Sequence, residues 1–211
     1  MKKKFLSLMM AAAVVATTSV SAFAADSENV INGAESGTYE SKIGITGDVL
    51  NDSGASVPGT LNVTVPTTAS FTVNERGGFS AAKIKIKNSG TQNVQVFAYE
   101  FVDVNGKDVG INVKAENQLE QTARNNISLK IYGDEGVAYL SSDSAKKGIY
   151  KDKELTQPAQ DDETIRNEGI KLATINAKQT GELTLDGKAG KGNLSDPARD
   201  EFTLKLKIKK A

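Results

Sequence analysis

Leu61-Asn62-Val63-Thr64-Val65-Pro66-Thr67-Thr68-Ala69-Ser70-Phe71-Thr72-Val73 is the stretch that decides the fold. Leu61, Val63 and Val65 alternate with Asn62 and Thr64. Side chains of a strand project alternately to the two faces of its sheet, so this run reads as a half-buried β-strand. Pro66 has no N–H to give to a ladder, which ends the pairing or sets the strand at a sheet edge. Phe71 and Val73 then resume the alternation.

The same pattern continues outward from this stretch. Lys83-Ile84-Lys85-Ile86-Lys87 has one apolar face and one lysine face, as a sheet with one side in the core and one in water requires. Near the C-terminus Phe202, Leu204, Leu206 and Ile208 alternate with Thr203, Lys205, Lys207 and Lys209 in the same way. Residues 93–104 carry apolar side chains on both faces, which predicts a central strand. Asn105-Gly106 is a two-residue hairpin signal, with Val109, Ile111 and Val113 as the expected return strand. Further alternating runs lie at Ile127–Ile131, Val137–Leu140, Ile170–Ile175 and Glu182–Asp186. Gly187–Gly192, rich in Gly and Lys, reads as a turn, and Glu116–Arg124 as a short helical crossover or a loop. About nine or ten short strands between turn residues, with no long helix, predict an all-β fold: one antiparallel β-sandwich or jelly-roll domain. Ser141–Glu168 has no clear core pattern and is expected to be a long polar loop insertion, solvated and carrying a short helix.

The N-terminus has a different character. Lys2–Lys4, the apolar run Phe5–Val20 and Ala22-Phe23-Ala24 have the layout of a secretory signal peptide over residues 1–24, with cleavage expected between Ala24 and Ala25. Residues 25–37 are then a polar, flexible N-terminal arm with a small apolar patch at Val30 and Ile31, and residues 38–211 the sandwich domain. No second long apolar span follows, so the mature chain is expected to be secreted, without a membrane anchor.

Composition excludes several kinds of chemistry. The chain of 211 residues has 26 basic and 26 acidic side chains, and losing Lys2–Lys4 leaves it mildly acidic. That balance gives no electrostatic reason to bind nucleic acid or anionic lipid. The chain contains no Cys, His or Trp. Without His there is no Ser-His-Asp triad, no His-Glu-x-x-His metal site and no residue that ordinarily titrates near neutrality. Asp103–Asp108 resembles a Ca²⁺ loop, but its twelfth position is Lys114 rather than a bidentate Glu. Asp161-Asp162-Glu163 is a weak extracellular Ca²⁺ candidate against the plainer reading of a solvated loop. A Lys–Asn isopeptide crosslink needs a lysine kept neutral by burial, and Lys83, Lys85, Lys205 and Lys207 face solvent by alternation. No cofactor, metal or catalytic residue is expected, and the chain does not read as an enzyme.

Leu61-x-Val63-Thr64-Val65-Pro66-Thr67-x-x-x-Phe71-x-Val73, together with the leader and the closing strand Phe202–Lys210, resembles TasA/BsaA-like biofilm-matrix fibre subunits of Firmicutes. The same run is similar to the opening of WxL-type surface domains, although the Trp-x-Leu motif is missing. A cysteine-free secreted chain also fits a Gram-positive source. The resemblance implies a structural protein of the extracellular matrix or cell surface that self-assembles by donor-strand addition. Its donor arm would include Asp26, Ser27, Glu28, Asn29, Val30, Ile31 and Asn32, and the candidate acceptor edge would be Leu61, Val63 and Val65. Expected partners are further copies of the chain and other matrix or cell-surface components, not nucleic acid or membrane. The alternative is a secreted adhesin or carbohydrate-binding module using the loop Ser141–Glu168, where Tyr150 is the one aromatic platform.

Overall fold

Alternation along the chain becomes two antiparallel sheets around one core. The computed structural model describes residues 28–33, 38–43, 61–74, 76–104, 110–143, 145–193, 198 and 200–211, the first two segments by backbone alone. The larger sheet runs β1 (Glu28–Gly33), β3 (Leu61–Pro66), β6 (Lys83–Asn88), β13 (Thr180–Ala189), β9 (Asn126–Tyr132), β10 (Val137–Ser141) and β11 (Gly148–Tyr150). The two residues of β8 (Asn112–Val113) join it in parallel beside β9. The smaller sheet runs β12 (Ile170–Ile175), β7 (Val94–Asp103), β14 (Phe202–Lys210) and β2 (Thr38–Ile43). A separate hairpin pairs β4 (Phe71–Val73) with β5 (Phe79–Ala81).

The apolar rows read from the sequence form the core. Leu61, Val63 and Val65 pack in one cluster with Ile84, Ile86, Ile127, Leu129 and Ile131 of the larger sheet, and with Val94, Val96, Phe101, Leu204, Leu206 and Ile208 of the smaller. Burying each such side chain contributes about 1.5–3 kcal/mol, whereas an exposed ion pair contributes about 0–1 kcal/mol. The lysine faces therefore add solubility, and the core supplies the stability. β7 is central, flanked by β12 and β14. Its register against β14 passes from Lys205↔Glu100 to Leu206↔Ala98, a bulge at Tyr99. The extra residue resets the alternation, so that Val94, Val96 and Ala98 and then Phe101 point inward. Phe97 is left on the other face, where the Lys209 ammonium lies 5.4 Å from its ring centroid.

Several expectations need correction. Phe71 and Val73 do not extend the strand before Pro66. They turn away into the β4–β5 hairpin, where Phe71 stacks on Phe79 at 5.3 Å and on Phe202 of the smaller sheet at 6.4 Å. The expected return strand after β7 does not form. Asn112–Val113 crosses to the other sheet and pairs with Asn126–Ile127, because Val113 is buried there and Lys114 N–H reaches the Ile127 carbonyl. Asn105-Gly106 and Val109 lie outside the described residues. Gly187–Ala189 is not a turn but the end of β13, paired with Leu129–Ile127. Among the described residues the tally is fourteen strands rather than nine or ten, the excess being two- and three-residue pieces such as β4, β5, β8 and β11.

Segment 141–168 departs most from its expected character. Its polar surface conceals β11, a 3₁₀ turn at Ala159–Asp161 and the helix α1 (Glu163–Glu168). Ile149, Tyr150, Leu155 and Ala159 are buried. α1 is capped by Asp162, whose carboxylate accepts from the N–H groups of Thr164 and Ile165. Gly169 then lies against β7 at φ +88°, and a Cβ there would come 2.4 Å from the Ala98 carbonyl oxygen. Only glycine meets both conditions.

Candidate assembly interface

The expected donor arm and the expected acceptor meet within one chain. β1 pairs antiparallel with β3 through Glu28↔Pro66, Asn29↔Val65, Val30↔Thr64, Ile31↔Val63, Asn32↔Asn62 and Gly33↔Leu61. Pro66 falls at the last position of this ladder, where a missing N–H interrupts least. Asp26, Ser27 and the Ala24–Ala25 cleavage pair lie outside the described residues. Leu61, Val63 and Val65 are thus not a free edge: β1 covers them on one side and β6 on the other, and β1 itself is the terminal strand. The Pro66 signal placed β3 one strand too far out, since a proline is equally acceptable at the end of a ladder.

β3 depends unequally on its two neighbours. It shares six residue pairs with β1 but only Val63↔Asn88 and Thr64↔Lys87 with β6. The Asn62 carbonyl also accepts from the N–H groups of Ser89 and Gly90. Taking β1 away would leave a row of backbone donors and acceptors along β3 without partners, a template for another strand. Leu61, Val63 and Val65 would still point into the core, being 5%, 0% and 0% exposed. A replacement strand must therefore match the two-residue period of the ladder, because a one-residue slip exchanges its two faces.

Asn88, the last residue of β6, secures the far side of β3, a role that its polar side chain did not suggest. It is fully buried. Its Nδ2 donates to the carbonyls of Gln92 at 2.8 Å, Ile175 at 3.2 Å and Asn176 at 3.2 Å, and its Oδ1 accepts from Gly90 N–H at 3.0 Å. The available signal was its place in the alternation: Ile84, Ile86 and Asn88 share one face.

The lysine faces are ion-paired. Lys83 meets Glu182 at 2.7 Å, Lys130 meets Asp186 at 3.0 Å and Lys205 meets Glu100 at 2.5 Å. Hydrogen bonding to Glu182 raises the Lys83 ammonium above its ordinary value, the opposite of what a neutral nucleophile for an isopeptide bond needs. Lys207 donates to the Asn167 carbonyl and lies 4.6 Å from the Tyr99 ring centroid. Lys210 has a buried ammonium with no hydrogen-bond partner among the described residues. Asp162, proposed as a Ca²⁺ ligand, is committed to its cap and to Lys151 at 3.0 Å. Hydrogen bonding to Lys151 and then to Ile165 N–H holds its carboxyl below the ordinary range. Among the described residues no group of three or more acidic side chains is placed to hold a metal ion, and no helix is long and apolar enough to cross a membrane.

Tyr150 does not serve as an exposed platform on the 141–168 loop. It is buried with Ala115 and Leu155 in a second small cluster, against which Tyr139 packs. Leu155 sits at φ 54°, a left-handed conformation that costs a branched residue about 1–2 kcal/mol. The turn is held from both ends. The Asp152 carboxylate accepts from Thr156 and Gln157 N–H groups, and Lys146 Nζ donates to the Leu155 carbonyl.

Comparison with known proteins gave no significant match to any family model, curated protein or solved structure.

Proposed function

We propose that this chain is a secreted, non-enzymatic structural protein whose subunits join by strand exchange into extracellular fibres of a biofilm matrix or cell surface. The observation that carries this reading is the β1–β3 ladder. The first described strand lies at the edge of its sheet and pairs with one neighbour over six residues. The same six pairs are available to β1 of another copy. Exchange then replaces like with like, so concentration sets the balance between closed monomer and polymer. Handing β1 head to tail gives an open filament unless the rotation closes a ring. The secretion-type leader and the resemblance of Leu61–Val73 to fibre subunits support the same reading.

The chain has no cysteine, so one engineered pair tests it cleanly. Val30 and Thr64 are directly opposite, and cross-strand Cα atoms about 4.5–5.5 Å apart suit a disulfide. The Val30→Cys/Thr64→Cys protein, oxidised as a monomer, should stay monomeric under negative-stain microscopy. Reduction should release filaments, and reoxidation of these should give a ladder on a non-reducing denaturing gel. Deleting Ala25–Gly37 should likewise leave monomers. Filaments from the locked monomer, or from the deletion, would sink strand exchange.

A further inference from the structure

A cleft of about 80 Å³ opens on the outer face of the larger sheet, where β9, β10 and β13 meet the 3₁₀ turn at Glu116–Gln118 and the turn holding Leu155. We propose that it binds the anionic group of an acidic saccharide, a carboxylated or phosphorylated unit within a larger glycan. This does not rest on strand exchange, and it places the site between the outer face of the sheet and the turn of segment 141–168 that carries Lys153 and Leu155.

The charge in the cleft is concentrated and positive. Lys114, Lys130, Lys153 and Lys188 line it, opposed by Glu116 and Asp186. Asp186 takes Lys130 at 3.0 Å, and Glu116 takes Lys188. Two ammonium groups remain. Lys153 has only Glu154 at 3.9 Å, and Lys114 makes no ion pair among the described residues. On a chain with equal numbers of acids and bases, that local excess marks an anion site. The two lysines are carried on segments tied to each other and to the sheet. Lys114 N–H donates to the Ile127 carbonyl at 2.8 Å, and Glu116 N–H donates to the Lys153 carbonyl at 3.1 Å. Such backing fixes the main-chain positions from which the two lysines reach into the cleft.

The rest of the lining selects among anions. Tyr139 offers a half-buried aromatic wall, set in place by the cluster of Ala115, Tyr150 and Leu155. Ser128 adds a hydroxyl, and the two carboxylates can accept from sugar hydroxyls. The volume is well below the roughly 300 Å³ at which sites enclose a whole ligand, so the cleft takes one charged group while the remaining chain of the glycan lies across the sheet.

Titration of the purified protein with oligogalacturonate, glucose 6-phosphate and a neutral glucose oligomer, followed by amide NMR shifts, tests this. Using the oxidised Val30→Cys/Thr64→Cys protein separates the result from assembly. An acidic ligand should shift Lys114, Tyr139 and Lys153, and the stronger of the two identifies carboxylate or phosphate as the group recognised. Lys114→Gln with Lys153→Gln should weaken binding by about two- to fivefold for each charge removed. Lys83→Gln with Lys85→Gln, on the exposed face of β6 outside the cleft, should leave it unchanged. Absence of shifts with both acidic ligands overturns the proposal. So does equal binding of the neutral oligomer, tighter binding of a short DNA strand, or equal loss in both lysine pairs.

Discussion

At one end of the larger sheet β1 meets β3 through six residue pairs; at the other, β11 meets β10 through three. The shorter strand is nonetheless secured by more than its ladder. Ile149 and Tyr150 of β11 are buried, Tyr150 makes a bridge to Pro158, and Lys151 N–H donates to the Gln157 carbonyl. α1 follows within the same segment and leads into Gly169 against β7. An edge can be protected by shortness and cover, or by a strand that is itself replaceable. β11 takes the first course. β1 lies at the start of the fold, so it can leave without unthreading any other strand. On the strand-exchange proposal, the attachment behind the strand, rather than the number of ladder pairs, decides which edge opens.

The largest effect should come from breaking the anchored edge. Ile149 is 4% exposed and belongs to the main core. Ile149→Ala removes buried carbon and leaves a cavity, so it should cost about 2–4 kcal/mol in urea unfolding. Deleting Ala25–Gly37 should abolish filaments yet leave a cooperatively folding domain. A loss below about 1 kcal/mol for Ile149→Ala would mean that β11 is not held by its side chains.

A smaller effect is expected at Asn88, which fixes β3 from its other side. Asn88→Ala would strip Nδ2 from three carbonyls, those of Gln92, Ile175 and Asn176. Leaving buried acceptors unsatisfied should cost about 1–3 kcal/mol. Because β6 and the 89–90 turn are what hold β3 once β1 departs, the loss should be greater in the protein lacking Ala25–Gly37 than in the intact chain. Equal losses in the two backgrounds would show that β1 and Asn88 secure β3 independently.

These two sites also divide what the sequence made legible from what it hid. Strand character follows from a period of two within a few residues, so β3, β6, β7, β9 and β14 were readable locally. The Asn88 network was not, because two of its three acceptors, the Ile175 and Asn176 carbonyls, are more than 80 residues distant in the chain. Segment 141–168 was misread for a related reason. Its buried residues, Ile149, Tyr150, Leu155 and Ala159, follow neither a helical nor a strand period, and composition is set by their exposed neighbours. Pro66 carried a true signal of limited pairing but not of position. The cleft was illegible, since Lys114, Lys130, Lys153 and Lys188 are brought together only by the order of β8, β9 and β13 and by the turn after β11.

Acid should separate the two edges by a subtler route. The β11 side is held partly by carboxylates. Hydrogen bonding to Lys151 and to the Ile165 and Thr164 N–H groups lowers the Asp162 carboxyl. At Asp152 burial pushes upward, but the N–H groups of Thr156 and Gln157 outweigh it and the net shift is again downward. A carboxylate whose folded value lies below its unfolded value of 3.8 stabilises the fold fully above that value. The contribution is lost as pH falls through the folded value. β3 itself, Leu61–Pro66, contains no titratable side chain. Hydrogen-exchange protection factors at Thr156, Gln157, Thr164 and Ile165 should therefore hold down to about pH 5 and fall as the pH drops below 3.8 and through the folded values, while those along Leu61–Val65 change little. Asp162→Asn should lower protection at Thr164 and Ile165 already at the higher pH and flatten its further decline. Parallel loss of protection in both regions would mean that acid opens the domain as a whole, and that the two edges differ in attachment but not in their response to charge.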